Sequence, residues 1–187
     1  MKIQEIRYLY HGTNVKFDKI DIINYGSIFK DFGRGFYLTT NLRQAWNLAH
    51  RKANNQNEAY VYQYELKKFD IEDYNICELL EYNKEWLDII AENRVKGICK
   101  IPGIDIIYDR MADNKGDILG EKLIEYLNGN RKGSEVIEAI RFSNESKDQY
   151  CFKTDKALQL LINRNLMVDR RDRRGYWNND RRRRISI

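Results

Sequence analysis

The ten residues Asp31 to Thr40, DFGRGFYLTT, constrain this chain more than any other stretch. Gly33 and Gly35 flank Arg34 and permit a close backbone or ligand approach that a side chain would block. Phe36 to Thr40 are aromatic, branched or β-tolerant and predict a short buried strand, and Asn41 is a natural N-cap for a helix beginning at Leu42. The stretch therefore presents the ring of Tyr37 at a strand edge beside a glycine-lined gap.

The rest of the chain supplies the elements that such a strand needs around it. Ile6 to Tyr10 alternates around Arg7 and predicts a strand whose end opens into a loop at His11-Gly12-Thr13. Lys16 to Ile28 has no clean period and reads as a long irregular connection, the kind of loop that borders binding sites. Leu42, Ala45, Ala49 and Ala53 share one helical face that stops at Asn54-Asn55. Tyr60, Tyr62 and Tyr64 alternate as in a strand. Tyr82, Trp86, Ile89 and Ile90 mark a second helix, and Ile104 to Tyr108 a buried strand after Pro102-Gly103. Leu119, Leu123 and Leu127, then Val136, Ile137 and Ile140, predict two antiparallel helices. Gln149 to Lys153 reads as a late aromatic strand, and Ala157, Leu158, Leu161 and Ile162 as a final helical face capped by Thr154.

With 187 residues the chain suits one buried core, expected over residues 1–168, followed by an arginine-rich tail at 169–187. The formal charge of +5 belongs to that tail, because the body without it is slightly acidic. A solvated end, a nucleic-acid contact through arginines interleaved with Tyr176 and Trp177, and an acidic inhibitor protein all remain open for it. The N-terminus lacks a signal-peptide core and no apolar run approaches a membrane span, so a cytoplasmic protein without a membrane partner is expected. Cys77, Cys99 and Cys151 are widely separated and indicate neither a disulfide framework nor a zinc site. Asp105, Asp109 and Asp113 are spaced by four, which suits neither a strand face nor a calcium loop, and no metal is expected.

Four features stand together: YHGT after the first strand, GRGFY into the second, the small-residue helix after it, and DQY opening the late strand. Together they resemble the ADP-ribosyltransferase superfamily, in its histidine-tyrosine-glutamate branch of poly-ADP-ribose polymerases and diphtheria-type toxins. More narrowly, YHGT, DFGRGFY and QYCFKTDKAL resemble a small bacterial subfamily of unknown function, DUF3990-like. The resemblance spans about His11 to Leu161. It implies an α+β fold of two small antiparallel sheets packed at a steep angle, with flanking helices around a cleft for NAD. His11 would bond the adenosine-side ribose hydroxyl, Gly12 backbone groups would hold the nicotinamide carboxamide, and Tyr37 would stack on the nicotinamide ring. Thr13 and Gly35 fall among the NAD-binding positions, and Arg34 either meets the pyrophosphate or is solvated.

The pattern is departed from in two places. Gln149 stands where the third motif carries glutamate, and a neutral amide bonds hydroxyls but supplies no negative charge and no general base. Glu145 and Asp148 are the nearby carboxylates that could compensate. Polymerase-type members carry serine and a second tyrosine eight and eleven residues after the motif tyrosine, where this chain has Ala45 and Leu48. The resemblance therefore implies single transfer: a toxin-like mono-ADP-ribosyltransferase that uses NAD as substrate and a protein or nucleic-acid acceptor, with an inhibitor (antitoxin) protein as a further partner. A catalytically silent domain that binds NAD or ADP-ribose, or a nucleic-acid module acting through the tail, are the alternatives.

Overall fold

A computed structural model describes residues 3–54, 58–112, 118–141 and 147–167. In chain order they form β1 (Tyr8–Thr13), β2 (Phe36–Leu38), α1 (Leu42–Ala53), β3 (Tyr60–Leu66), β4 (Ile76–Leu79), α2 (Lys84–Ala91), β5 (Ile106–Arg110), α3 (Ile118–Leu127), α4 (Gly133–Ile140), β6 (Asp148–Phe152), α5 (Asp155–Leu158) and β7 (Leu161–Met167). A π turn, Glu92–Lys96, follows α2. The arginine-rich tail, and with it Asn55, Asp113 and Glu145, lies outside the described residues. No helix among the described residues is long and apolar enough to cross a membrane.

The architecture is mixed α+β with two small sheets. One is antiparallel, in the order β1-β3-β7, and the other runs β2-β6-β5-β4. The two antiparallel sheets expected from the sequence hold only for the first of these. In the second, β4 pairs parallel with β5, from Ile76 opposite Ile106 to Leu79 opposite Asp109. A parallel pair needs a long crossover, and α2 with the π turn provides it between these two strands.

Leu9, Tyr62 and Tyr64 of the first sheet and Phe36, Ile106, Tyr150 and Phe152 of the second share one buried core, and backbone bonds join the sheets at a seam. Tyr10 on β1 and Thr39 just beyond β2 exchange both backbone bonds, at 2.8 and 3.0 Å. Behind the seam, α1 starts and stops as its sequence dictates. The Asn41 side chain accepts from the Gln44 N–H, and Asn54 takes a left-handed conformation at φ 44° to end the helix. Asp148, at the start of β6, ties the same turn from the other sheet. Its carboxylate accepts from the Thr39 hydroxyl at 2.5 Å, from the Thr40 N–H at 3.0 Å and from the Thr40 hydroxyl.

Helix α1 lies so close to β1 that a Cβ on Gly12 would collide with the Ala45 carbonyl oxygen and come within 3.2 Å of the Ala49 nitrogen. Ala45, Trp46, Ala49 and Val61 fill this contact. A larger core lies on the other sheet, where Trp86, Leu87 and Ile90 of α2, Leu119 and Leu123 of α3, and Val136 and Ile140 of α4 cover Ile107 and Cys151.

Three elements differ from the sequence reading. β1 covers Tyr8–Thr13, so the residues expected to open from the strand end into a loop are still paired, with His11 opposite Tyr62 of β3. The last helix is only the single turn Asp155–Leu158, and Leu161 and Ile162 belong to β7. Leu158 is thus the last helical apolar residue, and the backbone bond from Lys67 N to Leu160 O (2.9 Å) draws the chain into the sheet from there.

Gly12→Ala is expected to lower stability by about 2–3 kcal/mol, because it forces helix backbone off strand backbone rather than moving a side chain. Urea unfolding of the two proteins checks this, and equal midpoints would contradict the close contact.

Candidate active site at the seam of the two sheets

Beside the seam, under the loop from β1 to β2, lies a cavity of about 500 Å³. His11 and Thr13 reach its wall from one sheet, Gly35, Phe36 and Tyr37 from the other, Lys52 from α1, and Phe17 and Lys30 from the loop.

His11 is held by both sheets. Its Nδ1 lies 2.7 Å from the Tyr37 carbonyl, so Nδ1 carries the proton and Nε2 is left with the lone pair. The ring stacks on Phe36, with centroids 4.3 Å apart, and meets Phe17 edge-on at 5.8 Å. Burial, reinforced by the Lys52 and Lys30 charges, pushes the imidazole pKa down to about 3 against the opposing pull of the Tyr37 carbonyl. At neutral pH His11 is therefore an uncharged hydrogen-bond acceptor at Nε2.

Tyr37 is fixed at both ends. Its hydroxyl donates to the Gly33 carbonyl at 2.7 Å and accepts from the Phe32 N–H at 3.1 Å. Burial keeps that hydroxyl protonated, with a pKa well above the usual phenol value. The Lys30 ammonium lies 4.9 Å from the centre of the ring. Gly35 is required where β2 meets β6, since a Cβ there would strike Cys151 Sγ. The Lys153 ammonium closes the turn by donating to the Phe32 carbonyl and, at 3.3 Å, to that of Arg34.

The other residues singled out in the sequence lie elsewhere. Gly12 is packed beneath α1, and its carbonyl accepts from Lys52 Nζ at 3.1 Å. The Arg34 side chain is exposed and is not on the cavity wall. Gln149 is buried away from the wall, and its Nε2 donates to Asp31 Oδ2 at 2.9 Å. Arg94, on the π turn, binds the other oxygen of Asp31. Across the β5-β6 ladder from Gln149 stands Asp109, fully buried, with Oδ2 taking the Trp86 indole N–H at 3.2 Å and Oδ1 without a hydrogen-bond partner. Burial first, and the neighbouring Asp31 charge second, raise the Asp109 pKa well above the carboxylate range. Asp105 is structural too, since its carboxylate binds the Asn75 N–H and the Thr154 hydroxyl.

This cluster gives a physical reason for an amide at position 149. A glutamate there would face Asp31 without a proton to donate and would stand beside Asp109. Asp148, which the sequence offers as a substitute carboxylate, has both oxygens engaged by Thr39 and Thr40.

Sequence reasoning missed Lys30, Lys52, Phe17 and the Asp31-Arg94 pair. Asp31 opens the most constraining stretch of the sequence and Phe17 is the aromatic residue of an otherwise polar loop entry, but neither lysine belongs to a motif.

Residues 7–162 match a family model described as a protein of unknown function (DUF3990). The chain belongs to this family. No curated protein and no solved structure matches it. In this DUF3990 member the matched segment contains every strand but β7, of which it takes the first two residues, and every cavity-lining residue named above.

Two outcomes follow from the site's electrostatics. Because His11 stays neutral in the folded chain but protonates near 6.5 when unfolded, it withdraws stability as pH falls from about 6.5 toward 3, by at most about 1.4 kcal/mol per pH unit. Urea unfolding at several pH values should show a shallower acid loss for His11→Gln, and identical slopes would contradict a neutral His11. Gln149→Glu is expected to lower stability at pH 7 by about 3 kcal/mol, the scale of an uncompensated buried charge. An unchanged unfolding midpoint would show that Asp31 and residue 149 do not face each other.

Proposed function

We propose that this DUF3990 protein has an ADP-ribosyltransferase-like fold and is a toxin-like mono-ADP-ribosyltransferase, moving ADP-ribose from NAD to a macromolecular acceptor and releasing nicotinamide. The observation that carries the reading is the His11–Tyr37 bond. It sets a neutral imidazole from one sheet and an aromatic ring from the other on the wall of one cavity.

That wall suits the chemistry. Breaking the bond between nicotinamide and ribose C1′ leaves an oxocarbenium-like sugar while nicotinamide departs with the bonding electrons as a neutral amide. A rigid aromatic face holds the departing ring, and Tyr37 is pinned through its hydroxyl for that task. The Nε2 lone pair of His11 accepts from the adenosine-side ribose hydroxyl and thereby fixes the dinucleotide in the cavity. Thr13 and Gly35 line the same space, whereas Gly12 bears on it through its carbonyl and Lys52. Lys30 and Lys52 favour an anionic ligand. The acceptor brings its own nucleophile to C1′. A macromolecular acceptor accords with the exposed apolar residues on the loop over the cavity, where Ile23 is 66%, Tyr25 86% and Phe29 56% exposed.

A second reading, a silent domain that binds NAD or ADP-ribose in the same cavity, is favoured by Gln149. Its amide is committed to Asp31 and lies off the cavity wall, so the site lacks the carboxylate that the third motif would bring.

Incubating the protein with labelled NAD and a cell extract separates these readings. The transferase reading predicts nicotinamide release and labelled acceptor, both falling about 100-fold in His11→Ala. NAD binding without release would leave the silent reading, and no binding at millimolar NAD would overturn both.

A further inference from the structure

Lys30 and Lys52 are held where two cations repel. Both line the cavity, burial first and the Lys30 charge second push the Lys52 pKa down to about 8, and both charges bear on His11. Lys52 as a whole is exposed, yet its ammonium turns back to the Gly12 carbonyl. Among the described residues neither forms an ion pair with a carboxylate. The carboxylate next to Lys30 in sequence, Asp31, is already bound by Arg94 and Gln149. Of the two aspartates on the cavity wall, Asp21 is spent on the Ile23 and Asn24 N–H groups and the Asn24 amide, and Asp18 forms no ion pair with either lysine among the described residues. Desolvated cations without counter-charge cost stability unless an anion joins them.

Lys30 has a second property. Its ammonium rests over the face of Tyr37, the ring that the proposed function assigns to nicotinamide. Phe32 lies nearly parallel to Tyr37, at 8° and 6.4 Å between centroids, within the buried core. A planar ligand that stacks on the face under Lys30 must displace the ammonium.

We propose that Lys30 and Lys52 form a diphosphate site, and that Lys30 is a specificity-determining residue which covers Tyr37 until a ligand phosphate draws it away. The aromatic face then opens only to a ligand carrying phosphate of its own. Free nicotinamide is held off, and a dinucleotide is admitted because its diphosphate provides the counter-charge and uncovers the ring together. The stacking role of Tyr37 rests on the proposed function. The diphosphate site does not.

Titration calorimetry with inorganic pyrophosphate, nicotinamide and NAD tests this on the full chain, its Lys30→Met and Lys52→Met variants, and Lys30→Arg as the charge-keeping control. Methionine keeps an unbranched stem while removing the charge, and a cooperative thermal melt shows that each variant is folded before its binding is read. Pyrophosphate should bind the parent and Lys30→Arg, and lose about tenfold or more in affinity in each methionine variant, the worth of one charge-assisted hydrogen bond. Nicotinamide should move the opposite way, binding more tightly to Lys30→Met than to the parent or to Lys30→Arg.

Pyrophosphate that fails to bind the parent, or binds all four proteins equally, overturns the diphosphate site. Nicotinamide that binds Lys30→Met no better than the parent overturns the covering role. Should pyrophosphate behave as expected while NAD does not bind, the diphosphate site stands and the proposed function falls.

Discussion

The hydrogen bond from His11 Nδ1 to the Tyr37 carbonyl reinforces the seam where Tyr10 and Thr39 bridge two sheets that also share a buried core. Everything at the site is placed from that seam. The bond fixes the imidazole tautomer and lays the ring against Phe36. With Tyr37 held at its hydroxyl by Gly33 and Phe32, it sets the direction in which the tyrosine faces the cavity. Packing of α1 on Gly12 and the grip of Asp148 on Thr39 and Thr40 keep the two sheets from sliding apart there. The arrangement is preorganised: polar groups at the wall are oriented by the fold rather than by a ligand.

Charge is distributed unevenly around this seam. On the cavity side stand Lys30 and Lys52, which form no ion pair with a carboxylate among the described residues. Behind Tyr37, buried Asp31 is held by Arg94 and Gln149, and buried Asp109 by Trp86. An amide at 149 lets that cluster exist, since it donates where a glutamate would repel. The same residue that removes a carboxylate from the third motif thus holds the loop of the second motif in place.

Much of the fold was legible in the sequence wherever one period dominated. Asn41 and the alanine face of α1, the tyrosine alternation of β3, and the aromatic run of β6 appear where their residues place them. Strand β7 was not, because Leu161–Met167 lies largely at the surface and its polar residues give no alternation. Its first residues also extend the apolar spacing of α5, which mimics a longer helix. The parallel pairing of β4 was hidden for a different reason, since four residues carry no sign of their partner's direction. At the site, His11, Thr13, Gly35 and Tyr37 could be named from adjacent motifs. Lys30 and Lys52 could not, because only the closing of the seam brings those isolated cations to one wall. Nor could the bond between Gln149 and Asp31, residues 118 positions apart in the chain.

The central claim, that this seam is where NAD binds, is open to one direct observation. The chain contains two histidines: His11 on the cavity wall and His50, which stacks on Trp46 of α1 and does not line the cavity. Imidazole nitrogen NMR of the labelled protein reads them separately. On titration with NAD, the account predicts a saturable shift of the His11 Nε2 resonance, as its lone pair accepts a hydroxyl hydrogen, with His50 unmoved. An unshifted His11 at NAD concentrations that calorimetry shows to be saturating would place the ligand elsewhere and contradict the account.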